Sequence, residues 1–208
     1  MELQYYGGNC LKISTKKATI IVDDNLAELG QKSITKPENI SLFTAAHGEP
    51  AAVAALTIDQ PGEYEVSNIS VMGVAARAHI DVEGQANATI YRLLADDFRL
   101  CVLGHVYPEL SDEQLEVIGT IDVLIIPVGG NGYTLDGIGA QKIIKKIDPK
   151  LIIPTHYADN SLNYPVPQQP LEEALKNLAM EAHQTVPKLK LKPADLTDAA
   201  QLIVLERQ

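Results

Sequence analysis

The stretches Ile121-Asp-Val-Leu-Ile-Ile-Pro-Val-Gly-Gly130 and Leu151-Ile-Ile-Pro-Thr-His-Tyr157 decide the fold class. Each holds a continuous apolar run without polar alternation, the pattern of a strand covered on both faces. Between them Ala140, Ile143, Ile144 and Ile147 recur at helical spacing, with Lys142, Lys145 and Lys146 on the other side. Pro149 ends that helix. The link Val128-Gly-Gly-Asn-Gly-Tyr-Thr-Leu-Asp-Gly-Ile-Gly139 sits where phosphate-binding loops sit. Gly132 and Gly137 have the Walker A separation, but Ile138 and Gly139 stand where Lys and Ser/Thr would contact phosphate and Mg²⁺. The segment therefore reads as a positive-φ turn leading to a helix N-cap at Asp136.

Upstream, the chain reads as short strands: Leu11–Ser14, Ala18–Val22, Ile40–Thr44, Tyr64–Val66, Ile69–Val74, Thr89–Leu94 and Arg99–Leu103. Lys16-Lys17, Ser67-Asn68 and Asp96-Asp97 supply hairpin turns, and Pro61-Gly62 a further turn. Ser111-Asp-Glu-Gln114 is a capping box, with Leu110 and Leu115 placed as its staple. A Pro-rich loop, Tyr164 to Pro170, leads to a helix striped by Leu171, Leu175, Leu178 and Ala182, with His183 in its last turn. His183 has no site role in this reading. Leu189–Leu191 and Leu202–Leu205 read as closing strands. Hairpins followed by strand–helix units predict one α/β or α+β layered domain over residues 1–208, with helices covering sheet faces.

The 208 residues carry a formal net charge of −10, which disfavours nucleic acid and anionic membrane as partners. No apolar stretch is long enough to span a bilayer, and no basic region precedes an apolar run at the N-terminus. Cys10 and Cys101 form no metal or redox pair and read as buried thiols in a cytoplasmic protein. Four of the five histidines, His47, His79, His105 and His156, each follow a strand end. Loops at one sheet edge are where layered α/β folds build their sites. Four imidazoles converging there would suit Zn, Fe, Ni or Cu. A histidine taken alone after a strand is an ordinary loop residue, and no His-x-His pair supplies a local ligand motif here.

The order of these strands and histidines resembles the metallo-β-lactamase fold. The likeness is to the small Zn-dependent hydrolase branch that includes ascorbate-6-phosphate lactonase-like proteins. It rests on Tyr6-Gly-Gly-Asn-Cys10, Ile21-Val-Asp23, Pro61-Gly-Glu-Tyr64, Leu103-Gly104, the 121–130 stretch with Tyr133-Thr134, and Ile152-Ile-Pro-Thr-His-Tyr157. It runs from Leu3 to about Tyr157, and it implies an αββα four-layer sandwich with a metal site at one sheet edge.

The family's His-x-His-x-Asp-His motif matches Thr44-Ala-Ala-His47-Gly-Glu49-Pro-Ala51-Ala52. By that match His47 keeps the first ligand, Glu49 replaces the second His, and Ala51 and Ala52 replace the Asp and His. The next family His falls on His79, the bridging Asp becomes His105, and the last His is His156. The His of the N-terminal Gly-His motif is Gly8.

This loses much of a binuclear centre, because an imidazole cannot bridge two ions as a carboxylate does. What remains implies one Zn ion held by a subset of His47, His79, His105, His156 and Glu49. Three protein ligands and a water make a catalytic Zn site. Glu49 is either a ligand, the general base, or a solvated loop carboxylate. The resemblance thus implies a divergent metal-dependent hydrolase acting on a small ester, lactone, amide or phosphoester. The alternative is a catalytically inactive relative kept as a binding or scaffolding module. A nuclease is disfavoured by the acidic surface. The hydrolase reading expects all four histidines around one cleft.

Overall fold

The computed structural model describes residues 1–50 and 52–208. Ala51, which the resemblance sets in the place of a ligand Asp, lies outside the described residues. The strands are β1 (Glu2–Gly7), β2 (Cys10–Ser14), β3 (Thr19–Val22), β4 (Ile40–Leu42), β5 (Leu56–Ile58), β6 (Gly62–Val66) and β7 (Ile69–Ala76). They continue as β8 (Ala88–Ala95), β9 (Phe98–Val102), β10 (Val123–Pro127), β11 (Leu151–Thr155), β12 (Gln184–Val186), β13 (Leu189–Lys190) and β14 (Gln201–Leu205). The helices are α1 (Asp112–Ile118), α2 (Gly137–Ile147) and α3 (Leu171–Leu178).

One sheet has the order β13-β1-β2-β3-β4-β5 and the other β12-β14-β11-β10-β9-β8-β7-β6. The two face each other across a core that includes Tyr5, Ile13, Leu42, Tyr91, Phe98 and Ile153. The outer face of the second sheet buries Leu124, Ile126 and Ile152 against Ile118 of α1, Ile143 of α2 and Leu178 of α3. β10 and β11 are buried at every residue, as their unbroken apolar runs require.

The layer outside the first sheet is irregular chain rather than helix. There Cys10, Ile21 and Leu26 are buried beneath Tyr6 and Ile34. Asp24 organises that segment: its Oδ2 accepts from Ser33 Oγ at 2.6 Å, from the Ile34 and Thr35 amides at 2.9 and 2.8 Å, and from Thr35 Oγ1 at 2.6 Å. A carboxylate collecting donors from several successive residues stabilises a turn in place of a helix.

Local signals in the sequence map onto this frame. Ser67-Asn68 and Asp96-Asp97 have φ of 53°, 59°, 50° and 68°, the left-handed pairs that tight hairpins use. The Asp136 side chain caps α2 by accepting from the Gly139 amide at 2.7 Å. Both cysteines are buried and free. The capping box is formed: Ser111 Oγ accepts from the Gln114 amide at 3.2 Å, and Gln114 Oε1 from the Ser111 amide at 2.9 Å. Ser111→Ala is expected to cost about 1 kcal/mol in urea unfolding at neutral pH. An unchanged midpoint would show that this exposed cap is redundant.

Three differences from the expected elements have local causes. Strands β1, β5 and β12 join those read from the sequence, β1 with Leu3, Tyr5 and Gly7 alternately buried. Helix α3 stops at Leu178, short of Ala182, because Ala179 turns left-handed at φ 54° and its amide bonds back to Leu175 and Lys176. His183 is therefore not helical: its amide donates to the Leu202 carbonyl as the chain enters β12.

The same topology explains why strand-end histidines gather. β3 and β4 run parallel, as do β9, β10 and β11. β7 runs antiparallel to β8 and β8 to β9, so β7 and β9 share a direction. The segments that follow β4, β7, β9 and β11 therefore leave their sheets toward one edge. The turn after β1 joins them, where the Gly8 carbonyl accepts from the His156 amide at 2.8 Å.

Candidate functional site

A cleft of about 570 Å³ opens at this edge, a size suited to a small-molecule ligand. Its walls include His47, His105 and His156. His79 does not line it. Its amide donates to the His105 carbonyl at 2.6 Å, its ring lies 6.3 Å from that of Tyr107, and its buried Nδ1 has no partner. Glu49 is exposed and does not line the cleft either.

His105 and His156 form a pair, with ring centroids 4.7 Å apart and planes at 84°. His156 follows β11 with φ at 55°, a left-handed backbone uncommon outside glycine and frequent at sites. Its Nδ1 lies 3.0 Å from Gln168 Oε1, and Gln168 Nε2 donates to the Val166 carbonyl, which fixes the amide's orientation. An amide oxygen only accepts, so Nδ1 carries the proton and Nε2 keeps a lone pair. His105 Nδ1 likewise faces the Tyr133 carbonyl at 3.3 Å. Burial holds both rings neutral. It pushes His156 down to about 3, helped by neighbouring His105, and pushes His105 down to about 4 against the Tyr133 bond.

His47 occupies the other wall. It stacks on Phe43 with centroids 3.7 Å apart. Its Nδ1 lies 2.6 Å from the Gly48 carbonyl and its Nε2 3.3 Å from Asp59 Oδ2, so both nitrogens face acceptors. Asp23 also lines the cleft, yet both its oxygens are taken: Oδ1 accepts from the Thr44 amide at 2.7 Å and Oδ2 from Thr44 Oγ1 at 2.6 Å. Burial raises Asp23 to about 6, against the Thr44 bonds and the nearby His47. Gly104 packs on that same Thr44, where a Cβ would overlap the threonine side chain. Asp23 thus ties the ends of β3, β4 and β9 together and acts as a brace.

A family model described as a beta-lactamase superfamily domain matches residues 2–156. This chain belongs to the beta-lactamase superfamily. A UPF0173 protein of Pyrococcus abyssi is 22% identical over 186 residues, covering 76% of this chain and 83% of that protein. A Thermotoga maritima protein, described as a Zn-dependent hydrolase of the metallo-β-lactamase superfamily, superposes with TM-score 0.77 at 23% identity. That likeness covers 100% of this chain and 99% of that one. Igni18, a metallo hydrolase of Ignicoccus hospitalis, gives TM-score 0.62 at 16% identity over 99% and 94% of the two chains. These likenesses establish the two-sheet fold of the superfamily.

The superfamily implies metal, and the donor set tests that implication. Among the described residues, no group of three or more His, Cys, Asp and Glu side chains is disposed to hold an ion. His105 stands where the resemblance sets the bridging carboxylate, and Ala52 brings no ligand atom. His105 and His156 supply two nitrogens, one short of a three-ligand zinc centre. The residues as arranged do not fit the superfamily's two-metal group, nor a complete one-metal group.

Sequence reasoning missed Gln168 and Tyr164. They lie in a Pro-rich loop with no periodicity, and they reach the site through tertiary contacts. Tyr164 accepts from the Gly8 amide at 3.2 Å and donates to the Tyr157 carbonyl at 3.1 Å. Asn9 and Tyr133 stood in landmark stretches, but nothing in their spacing marked them as cleft residues.

Proposed function

We propose that this superfamily member uses the inherited cleft to bind a small polar molecule, without a two-metal hydrolytic centre. One observation carries the reading: His105 and His156 are packed together and anchored through Nδ1 to acceptors, both line the cleft, and among the described residues no third His, Cys, Asp or Glu joins them to hold an ion. In that state the two Nε2 lone pairs accept hydrogen bonds from a ligand. The brace at Asp23 and the Tyr164 contacts keep the walls rigid, which lowers the ordering cost of binding. The buried free thiols of Cys10 and Cys101 support a reducing, cytoplasmic setting.

A hydrolase with one zinc ion is the second reading. It is favoured by the Nδ1 anchoring, since metal-ligating imidazoles hold their other nitrogen to a carbonyl or carboxylate. It requires a third ligand, for which His47 would have to leave Gly48 or Asp59. Elemental analysis of protein purified without a His tag or chelator separates the two readings, with the His47→Ala and His156→Ala variants alongside. The binding reading expects far less than one ion per chain and no uptake of added zinc. Near-stoichiometric metal that falls in both variants would overturn it and establish the one-ion centre.

A further inference from the structure

The charge of the cleft is lopsided. Among the described residues, Asp23, Asp81 and Glu28 line it and no lysine or arginine does. The arginines carried by nearby loops do not reach the cleft with a free guanidinium. Arg77 lies 3.8 Å over the Tyr107 ring and donates to the Asp81 carbonyl, and Arg207 pairs with Asp159 at 2.6 Å. A second, independent feature points to a ligand. Asn9 lines the cleft and is only 7% exposed. Its Oδ1 accepts from Thr155 Oγ1 at 3.1 Å, while its buried Nδ2 has no partner. A buried amide donor left unpaired is costly, and a ligand acceptor atom would repay that cost.

We infer that the cleft selects an uncharged or cationic polar ligand and rejects phosphorylated and carboxylated ones. The inference rests on the reading of this cleft as a small-molecule site. Ligand N–H or O–H groups would meet the Nε2 atoms of His105 and His156, and a ligand hydroxyl or carbonyl oxygen would meet Asn9 Nδ2. An anion would find carboxylates and no lysine or arginine to offset its desolvation, and the one imidazole with both nitrogens on acceptors, His47, already faces Asp59 at 3.3 Å. In metal-bearing relatives an ion can supply that positive charge, and the donor set here does not build one.

A matched series tests the inference: glucosamine, glucose and glucose 6-phosphate share one ring and differ in charge. Each would be titrated into the full chain at pH 7.5 while the imidazole ¹⁵N resonances of His105 and His156 are followed. Saturable shifts are expected with glucosamine or glucose, with glucose 6-phosphate at least about ten-fold weaker, a factor between those of one Coulomb contact in bulk water and one near a protein surface. Glu28→Lys, at the exposed rim, should narrow that gap several-fold by strengthening glucose 6-phosphate, and should weaken glucosamine. Glucose 6-phosphate binding as tightly as glucose would overturn the inference and leave the small-molecule reading standing. No shift with any of the three would overturn both.

Discussion

Acidification from pH 7 to pH 5 is expected to lower the unfolding free energy by about 2–3 kcal/mol, at 1.36 kcal/mol per pKa unit. His105 and His156 have folded-state values pushed down to about 4 and about 3, against about 6.5 in an unfolded chain. Below pH 6.5 the unfolded chain binds protons that the folded chain refuses, so stability is lost as pH falls. Asp23 acts in the opposite sense. Its folded value of about 6 lies above the unfolded value, so the folded chain takes up its proton first, and stability contributed by Asp23 is lost as pH rises through that value. One carboxyl with a shift of about two units offsets only part of two larger histidine shifts. Urea unfolding across this range measures the net slope, and imidazole NMR measures its source. Ring titrations of both histidines near 6.5, or a stability that does not fall between pH 7 and 5, would sink this account.

Gly129→Ala is expected to be the most damaging single-methyl substitution at the site, at roughly 3 kcal/mol for overpacking against fixed atoms. A Cβ at Gly129 would overlap the His156 carbonyl and Gln168 Oε1. Neither can retreat freely. The His156 backbone is held left-handed and its amide is bonded to Gly8, while Gln168 is fixed by Val166 and by His156 itself. The substitution therefore breaks the Nδ1 anchor as well as destabilising the fold. The thermal midpoint should drop by several degrees, and the His156 ¹⁵N pattern should lose its single fixed tautomer. A variant with wild-type stability and an unchanged His156 spectrum would show that this loop yields easily.

Much of the architecture was legible because it rests on local rules. The apolar runs at 123–127 and 151–155, the α2 stripe, the left-handed hairpin pairs and the Ser111 cap are each decided within a few residues. The short edge strand β5 and the end of α3 were not legible. Leu56–Ile58 has two exposed residues of three, and Ala179 reverses the chain although alanine favours helix. The candidate site divides in the same way. That His47, His105 and His156 leave strand ends could be read from spacing. That His79 does not line the cleft and that Glu49 is exposed could not.

The sequence by itself determined the superfamily, through motifs in order along the chain whose resemblance also implied the two-sheet frame and set His105 where a bridging carboxylate would stand. Tertiary structure alone decided the state of the site. Parallel strands from distant segments share one edge there, and Gln168 and Tyr133 reach across to hold the imidazoles through Nδ1. Proton position, burial and which nitrogen faces the cleft depend on contacts between residues far apart in sequence, and no local periodicity encodes those contacts.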